Sequence, residues 1–344
     1  MDDRELVAEA RQFQENWKDE ARPRQGTRWR IAILSVLLLL LLATAATAVR
    51  YLVTRAPMQT LLPAPRPLLA GLSIPPRYQF SLYGVRGPLG VAVSPDNSRV
   101  YVTEGAGARQ IVVFDRLGME VGRFAPPGSQ PGGRFPAYIA ANGDKVYVTD
   151  TLRHSLDMYS ADGEYLGAAL PPDGAPGWSP LGIGFDRAGN TLVTDAAQGS
   201  HRLLVFDALG RVALGVGGEG VQPGQFSFPN GVAADAKRRV YVADGNNGRV
   251  QAFDDSGRLV SSIGRLGLPR GLAVDFAERL YVVDATNHTV VVYDVNESRM
   301  RLFSFGSHGF DDGQFNYPNG VATDATGRVY VADRENHRVQ VWIY

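Results

Sequence analysis

Residues 318–333 read PNGVATDATGRVYVAD, and residues 229–244 read PNGVAADAKRRVYVAD. Both open on Pro-Asn-Gly, run through Val-Ala-x-Asp, turn, and end on alternating Val-Tyr-Val-x-Asp. Four more segments align on this template: PLGVAVSPDNSRVYVTE (88–104), PAYIAANGDKVYVTD (136–150), PLGIGFDRAGNTLVTD (180–195) and PRGLAVDFAERLYVVD (269–284). The leading prolines stand 48, 44, 49, 40 and 49 residues apart. A fixed period of this size marks a repeat architecture.

Each segment continues into a third apolar run, such as QIVVFD, RLLVFD or RVQVWIY, and most have a fourth, such as RLVSSIG. Period-2 alternation rich in Val and Tyr, broken by Asp/Asn/Gly turns, predicts four antiparallel strands per repeat. One such sheet cannot bury both faces. Stacking around an axis buries them and leaves only short edges, which predicts an all-β, six-bladed propeller over residues 77–344. The last repeat ends at its third strand, VQVWIY, whereas RYQFSLYGVRG (77–87) matches the fourth-strand pattern. Residues 77–84 are therefore expected to complete the last blade.

Two linking loops are nearly identical, GGEGVQPGQFSFPNG (217–231) and GSHGFDDGQFNYPNG (306–320). With the segments they introduce, they resemble the NHL-repeat family, a six-bladed (NHL/TolB-like) propeller class with a G-x-F-x-x-P-x-G-V-A-V-D pattern. The resemblance implies a fold more than a function, because propellers host many functions.

Ahead of the repeats, Ile31–Val49 is 19 residues without a charge. Such a run reaches roughly 28 Å as a helix, about the thickness of a bilayer's hydrocarbon core. Trp29 and Tyr51 flank it, and Arg22, Arg24, Arg28 and Arg30 crowd its N-terminal side. This predicts a transmembrane helix over 31–50, a cytoplasmic segment 1–30 and an extracytoplasmic propeller in the cell membrane. A cleaved signal peptide is the alternative, since Ala43-Thr44-Ala45 and Ala46-Thr47-Ala48 fit a cleavage pattern. Residues 3–20 have helical spacing. Residues 51–76, with Pro57, Pro63, Pro65, Pro67, Pro75 and Pro76, are expected to form an extended stalk.

The 344 residues include 35 basic and 35 acidic side chains and no cysteine. Charge balance argues against a nucleic-acid partner. The absence of cysteine excludes disulfides and thiolate chemistry. No G-x-S-x-G or H-E-x-x-H is present, no metal or cofactor is expected, and catalysis is the less favoured reading.

Naming the strands of a blade a to d from the axis outward, the d–a and b–c loops share one face. That face carries Asp244 with Arg249, Asp284 with His288, and Asp333 with His337 and Arg338; Asp195 with Arg202 is a looser copy. Asp and Arg at these positions suit a scaffold device, while the histidines stand outside the repeat's basic pattern. Leu89, Ala137, Leu181, Asn230, Arg270 and Asn319, each just after a leading proline, are expected near the channel mouth. The candidate binding residues are thus Arg202, Asn230, Arg249, Arg270, His288, Asn319, His337 and Arg338.

Three functions fit. The first is a membrane-anchored module binding a protein, peptide or envelope glycan on this face. The arrangement resembles extracytoplasmic NHL propellers of bacterial receptor kinases, without the kinase. The second is a metal-dependent lactonase- or lyase-like enzyme with its site at the mouth. The PNG asparagines Asn230 and Asn319 match one metal-binding position of gluconolactonase-type propellers, but Leu89 stands where they carry Glu. The third is a structural scaffold of an envelope complex.

Overall fold

Each leading proline is the first residue of an innermost strand, where its missing N–H removes no interior ladder bond. A computed structural model describes residues 74–169, 178–296 and 300–344. The first strand is β1 (Arg77–Leu82). Blade 1 comprises β2 (Pro88–Val93), β3 (Arg99–Glu104), β4 (Ile111–Asp115) and β5 (Glu120–Phe124). Blade 2 comprises β6 (Pro136–Asn142), β7 (Lys145–Asp150), β8 (Ser155–Ser160) and β9 (Tyr165–Ala169). Blade 3 comprises β10 (Pro180–Phe185), β11 (Thr191–Asp195), β12 (Arg202–Phe206) and β13 (Val212–Gly217). Blade 4 comprises β14 (Pro229–Ala234), β15 (Val240–Asp244), β16 (Arg249–Phe253) and β17 (Leu259–Ile263). Blade 5 comprises β18 (Pro269–Val274), β19 (Arg279–Asp284), β20 (Thr289–Asp294) and β21 (Arg301–Phe305). Blade 6 comprises β22 (Pro318–Thr323), β23 (Arg328–Asp333) and β24 (Arg338–Ile343), and β1 is its outermost strand.

These six four-stranded antiparallel sheets form the predicted propeller. Its hydrophobic interior is divided among the gaps between blades. Leu203 of blade 3 packs with Val242 and Phe253 of blade 4, and Tyr241 of blade 4 packs with Leu280 and Val291 of blade 5. Leu82 and Val339 of blade 6 meet Val102 and Phe114 of blade 1, which closes the ring. No blade has a complete core of its own, so the sheets are stable only as a set.

All six innermost strands share an irregularity. Between the proline and the residue three positions on, the pairing register shifts, as at Pro88/Val91 and Pro318/Val321. The intervening two residues are lifted off strand b at the channel mouth, as a bulge does.

The expected segments 1–30 and 31–50 lie outside the described residues, as does the stalk up to residue 73. Among the described residues, no helix is long and apolar enough to cross a membrane.

Closure rests on β1, in which Leu82 pairs Val339 and Phe80 pairs Val341. Leu82 is fully buried, and a buried Leu contributes about 2 kcal/mol before its ladder bonds are counted. Deleting residues 77–82 from the full chain should lower the thermal midpoint by about 10 °C or more. A midpoint within about 2 °C of the parent would show that β1 does not close the ring.

Candidate functional site

In every blade a buried carboxylate at the end of strand b accepts backbone N–H groups from the segment entering strand a. Ser227 donates to Asp244 at 2.7 Å and Asn316 to Asp333 at 2.7 Å. Ser179 donates to Asp195, Phe135 to Asp150 and Arg86 to Glu104. Asp284 receives both Gly267 and Leu268. A carboxylate at a loop satisfies donors that would otherwise be buried unpaired, which is the scaffold role expected of this position.

The candidate arginines serve the same device. Arg249 Nε donates to Asp244 at 2.7 Å, and its Nη2 donates to the carbonyls of Gln222 and Gln225 in the d–a loop. Arg338 repeats this with Asp333 and the carbonyls of Asp311 and Gln314. Gln251 and Gln340, one residue pair further along strand c, also donate to Gln225 O and Gln314 O. Arg202 pairs with Asp195. These guanidiniums hold loops in place and leave little of their donor capacity for a ligand.

The histidines prove to be on a pattern. His288 and His337 occupy a left-handed turn position between strands b and c, with φ of 51° and 55°; His154 and Arg109 share that conformation, and Gly248 fills it in blade 4. Their rings reach the next blade. His288 Nδ1 accepts the Tyr317 N–H at 3.0 Å, and His337 Nδ1 accepts the Gly87 N–H at 3.0 Å. His201 Nδ1 lies 3.4 Å from the Phe228 nitrogen. Tyr317, Gly87 and Phe228 each precede a leading proline, and each has a positive φ (47°, 55° and 52°). A bulky side chain avoids the left-handed region, so this conformation is strained by about 1–3 kcal/mol at Tyr317 and Phe228, while Gly87 adopts it freely.

Strain at Phe228 and Tyr317 sets two large aromatic side chains on the d–a/b–c face, where they are 51% and 45% exposed. Phe310, on the same loop as Tyr317, is 71% exposed. Rings run in sequence across blades 5 and 6: Tyr317 is 4.9 Å from His288, His288 is 4.3 Å from His308, and His308 is 6.3 Å from Phe310. Beside the closure, Arg86, Glu104, Arg123 and His337 line an open groove of ≈ 930 Å³.

At the channel mouth, Arg270 Nη1 donates to Asn230 Oδ1 at 3.2 Å. Asn230 Nδ2 donates to Phe228 O, and Asn319 Nδ2 donates to Leu89 O of blade 1. The structure thus brings together Asn230, Arg270 and Asn319, three of the expected residues. In blade 2 the side chain entering the channel belongs to Tyr138 rather than to Ala137. Tyr138 stands where five blades have glycine (Gly90, Gly182, Gly231, Gly271, Gly320) and lines a small cavity with Gly231, Gly271 and Gly320 opposite. Those glycines are obligatory: a Cβ on Gly231 would sit 2.5 Å from Arg270 O, and one on Gly320 2.5 Å from Leu89 O. The break in the glycine column at 138 is the sequence signal that marks this residue.

A hard cation takes several oxygens, with carboxylates supplying the charge; two amides beside the Arg270 guanidinium supply no carboxylate, and Asn230 Oδ1 is already bonded to Arg270. Among the described residues no group of three or more His, Asp or Glu is placed to hold a metal ion.

Fold and loop devices together define a six-bladed β-propeller whose loops repeat one carboxylate–arginine–glutamine device. The family model described as NHL repeat matches residues 226–253 and 315–342, the two segments in which that device is complete. Two of the six repeats of this propeller therefore match the NHL repeat. It is 30% identical over 187 residues to human NHL repeat-containing protein 3, covering 50% of this chain and 53% of that protein. Over 48 residues it is 48% identical to protein brain tumor of Drosophila melanogaster, covering 14% of this chain and 5% of that one. The chain spans about half the length of NHL repeat-containing protein 3. Among solved structures, a streptogramin B lyase superposes with a TM-score of 0.55 at 14% identity, over 76% of this chain and 96% of that one. A nidogen/laminin complex gives 0.56 at 18%, over 69% and 85%. Identities this low report the shared fold.

Arg249→Ala leaves Asp244 buried with fewer donors, so it should cost about 3 kcal/mol and speed amide exchange through residues 217–231. Unchanged exchange there would deny the arginine its loop-holding role. His288 is held below its ordinary pKa by burial and by the neighbouring His308, against a small opposing pull from Asp333. A depressed folded-state value means this contribution is present above the unfolded value of about 6.5 and lost as pH falls through the lower folded value. The protection of the Tyr317 amide, relative to its intrinsic exchange rate at each pH, should therefore fall on acidification through the depressed value of His288, and the fall should vanish in His288→Asn.

Proposed function

We propose that the chain is a membrane-tethered interaction module that presents the d–a/b–c face of its propeller to a protein, peptide or envelope glycan. The observation carrying this reading is the pair Phe228 and Tyr317, aromatic, exposed and held in left-handed backbone on that face. Strain that persists in a folded protein concentrates at functional sites, and exposed aromatic anchors are the side chains that binding surfaces favour. Phe310, His308 and the groove beside His337 extend the surface. The scaffold takes up Arg202, Arg249 and Arg338, which leaves Asn230, Arg270, Asn319 and the rims of His288 and His337 as its polar complement.

The uncharged run 31–49 with arginines crowding its N-terminal side supports an anchor with the N-terminus in the cytoplasm and the propeller outside. The proline-rich segment 51–76 would then set the propeller off from the bilayer. Proteins sharing NHL repeats suggest protein interaction as the general role, and a nidogen/laminin complex is among the structures of similar fold. Fold likeness to a streptogramin B lyase favours the enzyme alternative weakly, since the mouth offers no carboxylate at the positions following the leading prolines.

The test is crosslinking of the full-length chain in its own membrane, comparing parent with Phe228→Ala/Tyr317→Ala. Loss of both anchors should weaken partner capture about 30-fold or more, with the thermal midpoint within about 3 °C of the parent. Equal capture by the two forms would remove this face from consideration and leave a scaffold role.

A further inference from the structure

Tyr138, in blade 2, faces blade 5 across the axis. Its side chain lines the channel cavity, it is 7% exposed, and its hydroxyl is buried without a hydrogen-bond partner. A buried hydroxyl left unpaired in a folded protein asks for an explanation. Burial raises the phenol's pKa to about 12, although Arg270 and the Asn319 amide beside it pull the other way. The hydroxyl is therefore a neutral donor at any physiological pH. Arg270, from the opposite blade, is bonded to Asn230 Oδ1 and forms no ion pair among the described residues. Most other inward-lying arginines of this face are paired, as Arg202, Arg249 and Arg338 are.

We propose that the channel mouth is a carboxylate-binding site, in which Arg270 takes the charge and the Tyr138 hydroxyl donates from below. This deepens the binding reading given above and rests on it for the identity of the face: the partner would insert an acidic side chain or a chain terminus at the axis. A guanidinium presents parallel N–H groups that match the two oxygens of a carboxylate. Asn230 orients that fork through its Oδ1, and Asn319 is tied to Leu89 O. The mouth residues from blades 1 and 3 are Leu89 and Leu181, so one side of the site is apolar and the other polar. Such a division suits a carboxylate carried on a hydrocarbon stem.

Saturation-transfer NMR with acetate and succinate as probes tests this on the full-length chain. The parent should bind acetate with millimolar affinity. Arg270→Gln should weaken it at least tenfold, and Tyr138→Phe, which keeps the ring and removes only the hydroxyl, about three- to tenfold. The second variant gives an independent reading should the first fail to fold. Competition by a peptide with a free C-terminus but not by its amide would assign the group to a chain end; competition by a C-terminally amidated peptide bearing an internal glutamate would assign it to a side chain. Acetate binding that survives both substitutions, no binding up to about 50 mM, or a preference for inorganic phosphate would overturn the proposal. These titrations contain no partner, so they can fail while capture through Phe228 and Tyr317 stands.

Discussion

The structure depends on a carboxylate buried at the inner end of each strand b. Six of them, five aspartates and Glu104, receive the backbone of the segment that leads into strand a. Each such bond is charge-assisted, and each replaces water at a place water is excluded. With the entry to strand a held, the proline that begins it is set, the register shift after the proline follows, and two residues per blade are turned toward the axis. The mouth of the channel is therefore a consequence of these carboxylates. In blades 4 and 6 the other oxygen of the same carboxylate, Oδ2, also gathers Arg249 and Gln251, or Arg338 and Gln340, onto the d–a loop. Those loops are held firmly enough to keep an aromatic residue in a conformation it would not adopt alone.

The architecture was largely written in the sequence. Proline followed by small and β-branched residues, an Asx-Gly turn and Val-Tyr-Val-x-Asp announces strands a and b, and the period counts the blades. The closing strand could be read because the last repeat lacks a fourth strand and residues 77–82 supply one. Side-chain roles were less legible, for a physical reason. His201, His288 and His337 act on the following blade, on Phe228, Tyr317 and Gly87. Alignment compares equivalent positions in repeats, whereas these contacts run between unlike positions of adjacent repeats. His288 and His337 thus seemed to stand apart from the pattern, although both sit at the left-handed turn. Tyr138 is hard to read from the repeat because the position after the proline varies freely; the departure that matters is the missing glycine one residue later.

Strand b carries a further inequality among the blades. Thr103, Thr149 and Thr194 accept an N–H from their own innermost strand and donate to a carbonyl of the next, Ala137 O, Leu181 O and Asn230 O respectively. Blades 4, 5 and 6 have Ala243, Val283 and Ala332 at this position. One blade-to-blade bond of each kind contributes about 1 kcal/mol, and the second half of the ring does without the hydroxyl. At the junction of blade 6 with blade 1 the Asn319 amide donates to Leu89 O, the same carbonyl that a threonine reaches in the first half. Between blades 4 and 5, Arg270 and Asn230 are joined through their side chains instead.

The polar side chains of the mouth therefore lie in the half of the ring where the threonine bridge is missing. Had all six blades kept threonine, every one of these carbonyls would be satisfied from strand b, as those of Ala137 and Leu181 are at apolar positions of the mouth. Moving the link outward, from strand b to the residue after the proline, lets one amide or guanidinium serve two ends: it joins blades and still faces the channel. Asn319 has one bond committed to Leu89 O and its remaining atoms beside the Tyr138 hydroxyl; Arg270 has one committed to Asn230. A link made this way leaves donors unused at the axis, which a hydroxyl buried in the sheet cannot do. The asymmetry of the ring thus couples how blades 4 to 6 are fastened to what the mouth offers a ligand, and it confines that chemistry to the side opposite Tyr138.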